Sequence, residues 1–249
     1  MKALVATDYQ PLDRLTIAEL PKPAAGPDEV VVKVEAAALN PLDLMLVTGA
    51  AKDLFPAEHP LIVGMDVAGT VVEAGAGVSG YAPGDRVLGF VGQAGSVAEY
   101  TVATPGPRLA HRPQKLDAVH AAAIPESGMT AVCLLRAVGL TEGESVLVIG
   151  ATGGIGLYAV QLAHALGARV IATATAQDAD YIRELGAADT VDYRQSDVVE
   201  ETLKLVPDGV DVVVDLVNRG EGLAPAPGRP GPVAGWCPRC SARTTWAAA

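Results

Sequence analysis

Four glycines, Gly150, Gly153, Gly154 and Gly156, stand in the run "SVLVIGATGGIG" at residues 145–156, after an apolar stretch and before residues with apolar positions at helical spacing. A diphosphate bound at a strand-to-helix junction needs backbone N–H groups brought close with no Cβ in the way. It also gains from a helix N-terminus whose dipole favours negative charge. Glycines at these positions meet both needs and point to a dinucleotide site. A plain glycine turn closing a strand against a helix would carry the same residues, but the β-α-β alternation around the run favours the dinucleotide. The next strand ends "ATATAQ", with Thr173 and Thr175 and no carboxylate before Asp178. Hydroxyls hydrogen-bond a ribose 2′-phosphate where a carboxylate repels it, so the segment leans to NADP(H), although threonines are also ordinary strand residues. No Arg or Lys stands in that segment to pair the phosphate.

The other reactive residue types form no comparable pattern. Cys237 and Cys240 of "CPRC" offer a single CxxC, with no second pair, where a closed zinc site wants about four ligands, so no metal is expected. Cys133 lies in an apolar segment and reads as a buried structural thiol. His59, His111, His120 and His164 show no metal spacing and read as surface or loop residues without partners. Ser127 and Ser145 have no base in a nucleophile pattern, which leaves a hydrolase unsupported.

Two kinds of chain organisation must hold these residues in place. The first 120 residues read as short β segments such as "MKALVAT", "EVVVKVEAAAL", "DVAGTVVEAG" and "DRVLGF", parted by Gly- and Pro-rich turns, and predict an irregular β barrel or sandwich. From residue 121 the pattern alternates: strand "SVLVIG", helix 154–166, strand "RVIATAT", helix 178–185, a strand near "TVDY", helix 196–205 and strand "VDVVVDLV". Such alternation predicts an α/β fold with a mostly parallel sheet and helices on its faces. The chain has 249 residues with 18 basic against 29 acidic, a net charge of −11 that repels a phosphate backbone and excludes nucleic acid as a partner. No apolar stretch nears the roughly 20 residues that span a bilayer. The start, "MKALVATDYQPLDR", lacks the form of a secretory signal, and a cytoplasmic location is expected.

With "ALNPLDLMLVTG", "GMDVAGTVVEAGAGVSGYAPGDRVLGF", "VAEYTVA", "ESGMTA" and "GATGGIG" in order, residues 1 to about 220 resemble the medium-chain dehydrogenase/reductase superfamily, and within it the zinc-independent quinone oxidoreductase (zeta-crystallin-like) branch. The resemblance implies a GroES-like β-rich catalytic domain over 1–122, a partial, doubly wound Rossmann NADP-binding domain over 123–220, and a homodimer in the family that is doubtful for this chain. It further implies that Asn40, Asp43 and Thr130 border the nicotinamide and its ribose. Gly150, Ala151, Thr152, Gly153, Gly154, Ile155, Gly156, Thr173, Thr175, Tyr193 and Val217 are carried over as cofactor contacts, with Tyr193 beside the 2′-phosphate. Each has a plainer alternative: Asp43 caps a helix, Asn40 satisfies a turn, Tyr193 covers a strand edge. Where the alcohol dehydrogenase branch holds zinc with Cys, His and Cys, this chain has Asn40, Met65 and Glu126, an unsuitable donor set. Relatives often carry Lys or Arg just after the second strand, where Gln177 or Asp178 stands here.

Residues 221–249 change character, with both tryptophans and two of the three cysteines, and are expected to be an irregular, disordered tail. The final Rossmann strands are missing, so "VDVVVDLV" is expected to end the sheet as an open apolar edge. Read in a shifted frame, "PVAGWCPRCSARTTWA" permits a Gly-Gly-Arg-Leu-Val stretch like the missing strand. The function expected is a zinc-independent NADPH-dependent reductase of a small quinone or activated alkene or carbonyl. The alternatives are a catalytically dead, truncated relative that at most binds a nucleotide, and a crystallin-like structural role.

Overall fold

The computed structural model describes residues 1–218 and the backbone of Val233–Ala234. It divides between Glu126 and Ser127 into two compact units.

The first unit is β-rich. Strands β1 (Lys2–Ala6), β2 (Thr16–Glu19) and β4 (Leu61–Ile62) form one antiparallel sheet in the order β2-β1-β4. A second sheet joins β3 (Val30–Ala38), β5 (Asp66–Ala74), β6 (Arg86–Phe90), β7 (Tyr100–Ala103) and β8 (Leu109–His111) in the order β7-β3-β5-β6-β8. Val30, Val32, Val67, Val71 and Val87 are packed in one cluster between turns whose glycines permit the reversals. Breaks in register between Val31 and Val32 and between Val34 and Ala36 bend β3, so that Ala36 and Ala38 pack with the short helix α2 (Ala118–Ala122). Helix α1 (Pro41–Thr48) begins at Asn40. Proline at its first position, Asp43 accepting the Asn40 N–H at 2.7 Å, and Gly49 at φ 75° set its two ends.

Helix α3 (Pro125–Val138), which the sequence pattern did not announce, leads into the second unit. There β9 (Ser145–Ile149), α4 (Gly154–Ala165), β10 (Arg169–Thr173), α5 (Ala179–Glu184), β11 (Asp189–Val191), α6 (Val198–Leu205) and β12 (Val212–Asp215) alternate as expected. With β13 (Val233–Ala234), all pairings are parallel, in the order β11-β10-β9-β12-β13. This is the Rossmann-like arrangement, with every residue of central β9 buried. One expectation is corrected. Strand β12 does not end the sheet, because β13 (Val233–Ala234) pairs with it, Val213 against Val233 and Val214 against Ala234. The rest of the tail, with its expected disorder, its CPRC pair and its shifted-frame reading, lies outside the described residues. Among the described residues no helix is long and apolar enough to cross a membrane.

Candidate functional site

In the second unit the chain leaves β9 at Gly150 in a left-handed conformation, φ 86°, which a side chain rarely adopts. A Cβ there would also stand 2.7 Å from the Val217 Cγ2 in the loop after β12. At Gly156, inside the first turn of α4, a Cβ would overlap the Gly150 carbonyl oxygen and the Ala151 Cα. Helix and strand therefore approach as closely as backbones can. Thr152, Gly153 and Gly154 are exposed above this junction, Ala151 is buried beneath it, and Ile155 is half-buried. The first-turn N–H groups of α4 have no acceptor within the helix and open toward that exposed loop. The arrangement leaves room and unpaired N–H donors of the kind a diphosphate requires, at the point where the sheet order reverses between β9 and β12. A residue without a role in the sequence reading also belongs here. Ser127, at the start of α3, places its Oγ 3.1 Å from where a Gly154 Cβ would lie. Thr130 stands one turn further along the same helix, half-buried.

The carried-over contacts at the β10 end have distinct positions. Thr173 is 3% exposed, and its Oγ1 accepts the Gly150 N–H at 2.9 Å, so it props the glycine loop from below. The Thr175 hydroxyl donates to Asp178 at 2.7 Å. Asp192, after β11, accepts the N–H of Ala176 through one oxygen and that of Arg194 through the other. Tyr193 is 48% exposed, with the Arg194 guanidinium 5.9 Å from its ring centroid. Val217 is exposed, its N–H donating to the buried Asp215.

In the first unit, Asn40 and Asp43 lie within a carboxyl cluster. Asp43 is almost wholly buried and accepts from the N–H groups of Asn40 at 2.7 Å and Gly64 at 3.1 Å. Its carboxylate is thus a structural tie for α1, as the helix-cap alternative had it. Asp66, equally buried, accepts from the Asn40 side-chain amide at 3.0 Å and from the Glu126 N–H at 3.1 Å. Glu126 receives no comparable donor, and its Oε2 is buried without a hydrogen bond. Desolvation, opposed by the Asn40 and Glu126 donors, pushes Asp66 up to about 6. Desolvation, with the negative Asp66 and Asp43 beside it, pushes Glu126 up to about 7. Asp43 is raised as well, chiefly by burial. Asp66 and Glu126 were not read as a cluster from sequence, since only the fold brings residues 40, 43, 66 and 126 together.

The residues at the places where alcohol dehydrogenases carry metal ligands do not suit zinc. The Asn40 amide is engaged by Asp66, and Met65 is buried in an apolar cluster with Leu46, Val47 and Val63. Among the described residues no group of three His, Cys, Asp or Glu side chains is placed to hold a metal ion. Other residues depart from expectation. Cys133 is exposed on α3, not buried. Three of the four histidines have partners, although His111, His120 and His164 are exposed as expected: His120 pairs with Asp117 at 2.6 Å, His111 stacks on Tyr81, and His59 meets the edge of Tyr9. Ser145 clamps the start of β12's loop by donating to Asp211 at 2.8 Å.

Comparison with known proteins adds the lineage. The alcohol dehydrogenase GroES-like domain family matches residues 26–114, and the zinc-binding dehydrogenase family matches residues 154–227. The chain is 38% identical over 232 residues to a 2-methylene-furan-3-one reductase of Solanum lycopersicum, covering 89% of this chain and 58% of that protein. Among solved structures, the quinone oxidoreductase from Coxiella burnetii superposes with a TM-score of 0.75 at 31% identity, covering 88% of this chain and 69% of that one. A mycobacterial protein solved complexed with NADPH gives 0.76 at 32% identity, covering 88% and 67%. The chain spans between half and two thirds of the curated relatives it matches.

Proposed function

The chain belongs to the medium-chain dehydrogenase/reductase superfamily, in its quinone oxidoreductase branch, and on that premise we propose that it is a zinc-independent, NADPH-dependent oxidoreductase acting on a small quinone or an activated alkene or carbonyl. The observation that carries this reading is the junction of β9 and α4, where Gly150 and Gly156 leave no room for side chains and the exposed loop 152–154 presents a helix N-terminus. The nicotinamide, when bound, supplies the hydride; the protein's part is to hold, orient and polarise. Gly153, Gly154 and Ile155 would hold the diphosphate, Ser127 and Thr130 would flank it from α3, and Tyr193 would face the adenosine ribose. Asn40, fixed by Asp66, would orient the substrate end. Without a metal to polarise a carbonyl, substrates whose added charge delocalises, quinones and enones, are favoured over simple ketones.

The test is a paired measurement on the full chain: NADPH fluorescence on binding, and NADPH oxidation with a panel of small quinones and enones. Saturable binding with turnover of at least one acceptor is the expected result. Binding without turnover on any acceptor would make this a nucleotide-binding relative without the activity, and absence of binding would remove the reading altogether.

A further inference from the structure

A carboxylate stands at Asp66 where stability alone does not call for one. The residue opens β5 between two neighbouring strands, opposite Ala38 of β3 and Phe90 of β6, and is 1% exposed. Among the described residues no cation pairs with it, and the charged side chains beside it, Asp43 and Glu126, are acidic. Its pKa is pushed up to about 6, chiefly by desolvation. Because that folded value lies above the ordinary 3.8, the ionised form is less favourable in the folded chain than in the unfolded one, and at pH 8 the charge works against the fold. An asparagine would fill nearly the same volume without burying a charge.

What the carboxylate has and an amide lacks is a single polarity. Ionised, it accepts hydrogen bonds and donates none. The Glu126 N–H is shared between both of its oxygens, 3.1 Å from Oδ1 and 3.2 Å from Oδ2, which fixes the plane of the group. Oδ2 also receives the Asn40 side-chain Nδ2 at 3.0 Å. A pure acceptor at this place admits only the nitrogen end of the Asn40 amide, so the two ends of that side chain are told apart. An amide at position 66 could meet Asn40 with either its oxygen or its nitrogen, and both orientations of Asn40 would then be open. The backbone on either side is already held: Asn40 by its N–H on the Asp43 carboxylate at 2.7 Å, Asp66 by its two flanking strands.

We propose that Asp66 is a positioning residue that acts through Asn40, holding the Asn40 amide in one of its two orientations for the ligand it meets, and that the chain keeps a carboxylate there at a cost in stability. The proposal rests on the oxidoreductase reading above, in which Asn40 orients the substrate end, and adds what decides how Asn40 presents itself.

The experiment compares the full chain at pH 8 with Asp66→Asn, Asn40→Ala and the double variant, reading thermal melts beside kcat and KM for NADPH oxidation with an acceptor that the parent turns over. Asp66→Asn should melt at or above the parent's temperature and yet lose about tenfold or more in kcat/KM, because a group set in the wrong orientation forfeits much of its effect. The double variant should match Asn40→Ala to within about twofold, since Asp66 then has nothing to orient. A purely structural Asp66 gives the reverse pattern, a lower melt for Asp66→Asn with the kcat of the folded protein unchanged, and that result would overturn the proposal. Losses that multiply in the double variant would overturn it as well, by showing that Asp66 acts apart from Asn40. Either of these, with a parent that turns over its acceptor, leaves the oxidoreductase reading standing, whereas a parent that turns over none ends both.

Discussion

Glu126 is the residue on which the first unit's electrostatics turn. Asp43 and Asp66 take the available N–H donors, and Glu126, with a buried oxygen lacking any, keeps its proton up to about pH 7. Because the folded-state values of Glu126 and Asp66 lie above the ordinary 4.5 and 3.8, the folded protein holds protons that the unfolded chain has already released. Stability from this cluster is therefore greatest below about pH 4 and falls as pH rises through 7. Glu126→Gln, which keeps shape but cannot ionise, should flatten that decline between pH 5 and 8 in thermal melts; a slope unchanged from the parent would contradict the assignment. Gly156 poses a steric question instead. A methyl there meets the backbone of Gly150 and Ala151, atoms that cannot swing aside, so Gly156→Ala should weaken nucleotide binding at least tenfold and lower stability by about 1–3 kcal/mol.

At the scale of elements, helix ends carry information that local sequence already held. Asp197 stands before α6 and accepts the N–H groups of Val199 and Glu200, both at 2.9 Å. Asp197→Ala should cost about 1 kcal/mol, read as a lower melting temperature with the nucleotide-binding constants unchanged. Strand β9 sits between β10 and β12 with five buried residues, whereas β11 lies at the edge with three residues and partial exposure. Amide exchange should accordingly be slowest in β9 and faster in β11 by an order of magnitude or more. Alternation of apolar strands with amphipathic helices made this sheet's parallel character legible from the residues alone. Helix α3 escaped because Pro125, Gly128 and Thr130 crowd its first turns and mask the helical period.

For the molecule as a whole, what could be read from sequence were patterns contained within a few neighbouring residues: the glycine run, the β-rich and alternating halves, the Asn40–Asp43 cap. What could not were pairings across long separations. The support of Gly150 by Thr173, the tie from Asp192 to two loops, and the carboxyl cluster drawn from residues 43, 66 and 126 exist only once the strands are in register. The burial of Cys133 was misjudged for a related reason: an apolar neighbourhood in sequence does not say which side of α3 faces outward. A net charge of −11 leaves little positive potential to draw in a polyanionic ligand. The propped glycine loop sets the kinetics of that arrival. A receptor whose clasp is already braced from below has no rearrangement to wait for, so stopped-flow traces with dinucleotide should be single exponentials whose rate climbs linearly with concentration. A hyperbolic plateau would mean instead that the clasp forms only after the first encounter.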